Sequence, residues 1–196
     1  MKIFCIGTWK TGTTSIGKAL HKLMKGKHQG FSRSNRLKYF NNKLNELYEI
    51  SRNKTTFDDT PWNCIDVWPT LKEMYPTSKF VLTIREENSW FNSMIRWYDG
   101  NLNTFRHSHI VKEVYRRQLS PFGYDINKMA LLSDSKQMWI GWYRARNKQI
   151  VESFNGTNRL LIYNIDNHQG WPVLCTFLNK EIPLEPFPHL NKNKKI

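Results

Sequence analysis

The opening segment constrains the fold more than any other part of the chain. Lys2-Ile3-Phe4-Cys5-Ile6 is a short apolar run suited to a strand buried on both faces. It meets at once a turn bounded by Gly7 and Gly12, and Ile16, Ala19, Leu20 and Leu23 then recur at helical spacing, which predicts a helix from Thr13 to about Lys25. A strand that passes through a glycine turn into a helix presents backbone N–H groups at the positive end of the helix, a geometry suited to an anion such as phosphate.

The alternation continues along the chain. Leu37, Phe40, Leu44, Leu47 and Tyr48 predict an amphipathic helix over 35–51, and 55–57 reads as a short strand. Thr60 followed by Pro61 reads as a cap and first helical residue, with Ile65, Leu71 and Met74 carrying the inner face to Tyr75, where Pro76 stops the helix. Lys79 to Ile84 is the clearest strand; Arg85 stands at its carboxyl end, before a helix from Asn88 or Ser89 to Tyr98. Helices are expected at about 103–119 and 134–153, a strand at 159–163 and a last helix at 171–178. Strands alternating with helices specify an α/β fold, a mostly parallel sheet covered by helices on both faces, with ligands collecting beyond the carboxyl ends of the strands.

With 196 residues, 39% of them hydrophobic, the chain is long enough for one sizeable core. No repeat, low-complexity stretch or linker divides it, so a single domain over 1–196 is expected, with 191–196 as a loose basic tail. The first apolar stretch, Ile3 to Ile6, is too short for a signal segment or membrane span, which points to a soluble, cytoplasmic protein. Cys5, Cys64 and Cys175 are odd in number and widely spaced, giving neither a disulfide framework nor a zinc site. A net charge of +14 favours anionic partners, but the lysines are dispersed and few aromatics interleave with them, which speaks against nucleic acid.

The turn reads Gly7-Thr8-Trp9-Lys10-Thr11-Gly12-Thr13-Thr14-Ser15. A nucleoside-triphosphate P-loop needs lysine directly after its second glycine, to reach the outer phosphates, and Ser or Thr next for magnesium. Here Thr13 stands in the lysine's position and the loop's lysine is Lys10. Lys10-Thr11-Gly12-Thr13-Thr14 resembles the phosphate loop of the sulfotransferases that use 3′-phosphoadenosine-5′-phosphosulfate (PAPS), which implies a P-loop NTPase-like fold and PAPS as sulfuryl donor. Lys10, Thr11, Gly12, Thr13, Thr14 and Ser15 are thereby candidate donor-binding residues.

In that family an arginine ending a later strand and a serine eight positions on hold the donor's 3′-phosphate; Arg85 and Ser93 match them. The family's Arg-Asp-Pro is Arg85-Glu86-Glu87 here. The resemblance extends through Leu161-Ile162-Tyr163-Asn164-Ile165, Gly170-Trp171 and Phe177-Leu178-Asn179 to Pro186-Phe187-Pro188-His189 and Asn191. An arginine, lysine, glycine element found near the carboxyl end of many members is missing, and Arg144, Arg146 and Arg159 are candidates to replace it.

Transfer from PAPS leaves negative charge on the donor's 5′-phosphate, which Lys10 and the loop N–H groups are suited to hold. No metal is required, and no acidic cluster with metal spacing stands out. A base must take the proton of the acceptor hydroxyl or amine. Asp59-Thr60-Pro61 matches an Asp-x-Pro of the family, so Asp59 is the first candidate and the adjacent Asp58 the second, on condition that burial or mutual repulsion raises the carboxyl pKa. The same acids could instead merely stabilise the start of a helix. His21, His28, His107, His109, His168 and His189 are alternatives, with His107 and His109 in reserve. Trp9, Trp62, Trp90, Trp97, Trp139, Trp142 and Tyr143 are expected to be mostly core. The rival readings are a P-loop small-molecule kinase, opposed by Thr13, and a basic nucleotide- or nucleic-acid-binding module without turnover. The positive charge favours a charged glycan, a lipid headgroup or another anionic acceptor by attraction; a neutral metabolite is also open, as is the oligomeric state.

Overall fold

A computed structural model describes residues 1–190, so the tail expected at 191–196 lies outside the described residues. The sheet contains β1 (Ile3–Cys5), β2 (His28–Gln29), β3 (Thr56–Phe57), β4 (Lys79–Ile84) and β5 (Leu160–Asn164) in the order β2-β3-β1-β4-β5. All four pairings are parallel; Ile3 stands opposite Thr56 on one side and Lys79 on the other, and Phe80 opposite Leu160. The helices are α1 (Thr13–Met24), α2 (Arg33–Phe40), α3 (Leu44–Arg52), α4 (Trp68–Met74), α5 (Glu87–Tyr98), α6 (Ser108–Leu119), α7 (Ile126–Met129), α8 (Lys136–Ser153) and α9 (Gly170–Leu178).

Side chains alternate across the strands and fill a core on each face of the sheet. Phe4, Ile6, Phe57, Phe80 and Leu82 pack with Trp68 and Leu71 of α4 and Ile150 of α8. Ile3, Cys5, Val81 and Tyr163 face the other way, against Ile16, Ala19 and Leu20 of α1 and Trp171 and Leu174 of α9. A third cluster, with Trp90, Met94, Tyr115, Trp139 and Trp142, joins α5, α6 and α8, and Trp9 packs on its margin. From β1 the chain goes to β2 and β3 on one side and later to β4 and β5 on the other. The carboxyl end of β1 is therefore the point where the strand order reverses, the usual place for a ligand in an open α/β sheet.

Several elements depart from the sequence-based expectation. The helix expected over 35–51 is two helices, parted where Asn42 takes a left-handed φ of 58°, which asparagine tolerates better than most residues. The helix expected from Pro61 begins only at Trp68, with Pro69 in its first turn. Thr60 caps nothing: its Oγ1 accepts from Trp9 Nε1 at 2.8 Å, and 60–65 is buried irregular chain. α6 starts at Ser108, not near 103, while β2 and α7 were not expected at all. α5 opens on Glu86, whose carboxylate accepts from the N–H groups of Asn88 and Ser89 at 2.9 and 2.7 Å. That capping carboxylate explains how Arg85-Glu86-Glu87 makes the turn without a proline.

Candidate functional site

The β1–α1 turn is shaped by close packing beneath it. A Cβ on Gly7 would lie 1.7 Å from Thr83 Oγ1, so only glycine fits there, and Gly12 has a φ of 83°. Thr11 Oγ1 donates to Thr8 O at 2.6 Å or pairs with Thr83 Oγ1, also at 2.6 Å, fastening the turn to β4. Among the described residues no backbone N–H from Trp9 to Thr14 donates to a protein acceptor; α1 has neither a side-chain cap nor an acid in its first turn. Thr8 Oγ1 is buried and likewise without a partner. A row of unanswered donors at a helix N-terminus is a site for an oxyanion. Thr13 is buried beneath this row, Thr14 is exposed, and Ser15 Oγ accepts from Leu190 N at 3.0 Å.

Lys10, at a φ of 66°, lays its ammonium 4.0 Å from the ring centroid of Trp97, an exposed residue of α5. Burial, then the positive fields of Arg85 and Arg96, hold its pKa below the usual lysine range. Arg85 is anchored by its backbone: its N–H donates to Tyr143 Oη at 2.9 Å, and Tyr143 Oη lies 3.1 Å from its carbonyl. Arg85 Nε is buried, lies 3.5 Å from Asp166 Oδ1 and makes no hydrogen bond among the described residues. Ser93 is half-buried on α5, two turns beyond.

Beyond β3, the two aspartates differ. Asp58 is 4% exposed, wedged so tightly against α1 that a Cβ on Gly17 would lie 2.4 Å from its carboxyl carbon. Its Oδ1 is 3.2 Å from His28 Nε2, and His28 Nδ1 is 2.9 Å from Thr56 Oγ1. Burial raises the Asp58 pKa, and His28 opposes the rise. Asp59 has a φ of 64° and accepts from Thr60 N at 2.6 Å. Its pKa is pushed up to about 6, by burial first and by the neighbouring Asp58 charge, against the pull of the Thr60 N–H. Both aspartates line a cleft of about 210 Å³ with Thr14, Lys18, His21, His28 and Phe31. The structure thus brings the α1 end of the loop and the aspartates to one cleft. His107, His109, His168 and His189 do not line it.

Sequence reasoning missed the supports. Arg146, 1% exposed, donates to Ile6 O and Asn63 O at 2.7 and 2.8 Å, and Asn63 Nδ2 donates to Gly7 O at 3.0 Å. These bonds brace the loop against the segment carrying Asp59. The three arginines considered as substitutes for the missing carboxyl-terminal element are all engaged: Arg146 in that brace, Arg144 with Glu87, and Arg159 with the carbonyls of Lys72, Tyr75 and Ser78 at the amino end of the sheet. Arg159 in particular is at the wrong end of its strand for the loop. Of the aromatics, Trp62, Trp90, Trp139, Trp142 and Tyr143 are core, and Trp97 is exposed. Among the described residues no helix is long and apolar enough to cross a membrane, and no three His, Cys, Asp or Glu gather as a metal group.

A wholly parallel open sheet between helices, with a glycine-bounded loop that lacks the kinase lysine at the reversal of strand order, defines an α/β fold of the P-loop kind. Residues 2–196 match the sulfotransferase domain family, and the chain belongs to that family. It is also 25% identical over 229 aligned positions, covering 97% of this chain and 80% of the relative, to Ava biosynthesis cluster protein M of Aspergillus versicolor.

Proposed function

We propose that residues 1–196 form one catalytic domain that transfers a sulfuryl group from PAPS to a hydroxyl or amine of a small acceptor, in the cytoplasm. The observation that carries this reading is the row of unanswered N–H donors at Trp9 to Thr14, joined through the Arg146 and Asn63 brace to an aspartate whose pKa is raised toward neutrality. The residues fit an anionic donor: the buried Thr8 hydroxyl and the buried Arg85 Nε, neither hydrogen-bonded among the described residues, both call for oxygen ligands. The name of the fungal relative, which places it in a biosynthetic cluster, supports a small-molecule acceptor. Three buried free thiols, Cys5, Cys64 and Cys175, suit a reducing compartment.

When bound, PAPS supplies an activated sulfuryl group and leaves as a phosphate with added negative charge. Thr11, Gly12, Thr13, Thr14 and Ser15 form the loop and first helical turn that hold this end, and Arg85 with Ser93 takes the 3′-phosphate. Lys10 leaves Trp97 to neutralise the growing charge; its partial desolvation beforehand strengthens that interaction. Asp59 accepts the acceptor's proton. With a pKa of about 6 it is mostly ionised at neutral pH yet more basic than an ordinary aspartate. Asp58, in contact with His28, acts behind it by raising that pKa.

Calorimetric titration with 3′-phosphoadenosine-5′-phosphate, beside ATP with magnesium, tests the donor site. Metal-independent binding of the bisphosphate is expected, weakened about tenfold or more in Lys10→Ala and in Arg85→Ala, since a charge-assisted contact contributes roughly 1.5–3 kcal/mol. Preference for ATP with magnesium, or undiminished binding in both variants, would overturn the assignment.

A further inference from the structure

Beside Phe31, a lining residue of the cleft, stand cations that no carboxylate among the described residues answers, although they do not themselves line it. Arg33 and Arg36 occupy the first turn of α2, the positive end of its dipole, where no acid is present and cations are disfavoured. The Arg36 guanidinium lies 5.2 Å from the ring centroid of Phe31, which is 56% exposed and lines the cleft with Asp58 and Asp59. Arg36 Nε is buried and has no hydrogen-bond partner among the described residues. Nor does Arg33, Arg36 or Arg106 form an ion pair with any carboxylate among them. α2 packs on α6, whose cap His107 follows Arg106 directly. The His107 imidazole is held below its usual pKa by desolvation and then by Arg33, Arg106, Arg36 and His109, so this ring sits in one positive field. Arg36 also acts on the Asp59 carboxyl from this side.

Cations held together at a helix N-terminus, without a protein acid to offset them, are costly unless a ligand supplies the negative charge. We infer that Arg36, with Arg33 and Arg106, binds an oxyanion on the acceptor, a carboxylate or a sulfate or phosphate ester, and thereby directs a nearby hydroxyl or amine to Asp59. This assignment rests on the sulfotransferase reading of the cleft and narrows its acceptor to a molecule carrying both an oxyanion and a nucleophile. The Phe31 ring supplies an apolar wall between the two.

The test fills the donor site first. With saturating 3′-phosphoadenosine-5′-phosphate present, the full chain is titrated by calorimetry with benzoate, inorganic sulfate and inorganic phosphate in separate arms. A second saturable anion site is expected, its affinity at least tenfold weaker in Arg36→Gln and weaker again in Arg33→Gln with Arg36→Gln, and unchanged in Lys10→Ala. Arg36→Gln keeps a stem against Phe31, an unaltered Kd for the bisphosphate certifies that the arginine variants are folded, and circular dichroism certifies Lys10→Ala, whose weaker bisphosphate binding is met by a higher saturating concentration. The strongest arm tells a planar carboxylate from a tetrahedral oxyanion. Absence of a second site, or equal affinity in the arginine variants, overturns the inference. If the bisphosphate itself does not bind, the donor reading falls separately, and the same anion titrations on the chain alone, with folding checked by circular dichroism, still decide whether the arginines hold an oxyanion.

Discussion

Replacing Asp59 by asparagine should make the protein more stable while stopping its chemistry, and the size of the gain should depend on pH. In the folded chain the Asp59 carboxyl titrates at about 6, against 3.8 for an unperturbed aspartate. Because its folded pKa lies above the unfolded one, the native state binds the proton more tightly, and ionisation of Asp59 costs stability as pH rises from about 4 to about 6. Two units of pKa correspond to roughly 3 kcal/mol, fully expressed above that window and absent below it. Asparagine carries no charge, keeps an oxygen for the Thr60 N–H and tolerates the φ of 64°. Urea unfolding at several pH values should therefore show Asp59→Asn more stable than the parent by roughly 2–3 kcal/mol at pH 7.5, the advantage fading by about pH 4. Sulfuryl transfer should fall about 10²- to 10⁴-fold, as expected for loss of a general base. A stability difference that does not change with pH, or a less stable variant at pH 7.5, would refute the account of a carboxylate held ionised at a cost.

Two more substitutions probe the surroundings of that carboxylate. Asp58→Asn removes a neighbouring negative charge, so the titration midpoint of Asp59, followed by carboxyl carbon NMR, should move down; an unchanged or higher midpoint would contradict the coupling. Arg146→Met leaves the carbonyls of Ile6 and Asn63 without their buried charged donor, at a cost of about 2–4 kcal/mol, and should lower bisphosphate affinity as well; an unaltered urea midpoint would show that the brace carries no weight.

What could be read from sequence was whatever is local in the chain. Ile3 to Cys5 and Lys79 to Ile84 declare themselves as strands because each is built on an unbroken apolar run, Ile3 to Ile6 and Phe80 to Leu82, and the glycine spacing of the turn survives folding unchanged. His28–Gln29 could not be found this way: it is short and polar, and is a strand only because it pairs with Thr56 and Phe57. The break at Asn42 was hidden by an apolar rhythm that runs across it, and Thr60-Pro61 imitated a helix start whose hydroxyl in fact answers the indole of Trp9. Asp59 was legible as a candidate from its neighbours in sequence, whereas the contact of His28 with Asp58 and the reach of Arg146 to Ile6 join residues far apart in the chain and exist only after folding.

The brace from Arg146 and Asn63 makes the glycine loop and the Asp59 segment one unit, while the arginines of α2 stand on a separate helix, beside Phe31. The molecule is thus divided like a tool with a fixed jaw and an exchangeable one. If the proposed acceptor site on α2 holds, a change of acceptor can be sought by redrawing that surface alone, whereas the same effort spent between Gly7 and Asn63 would dismantle the machine it meant to retune.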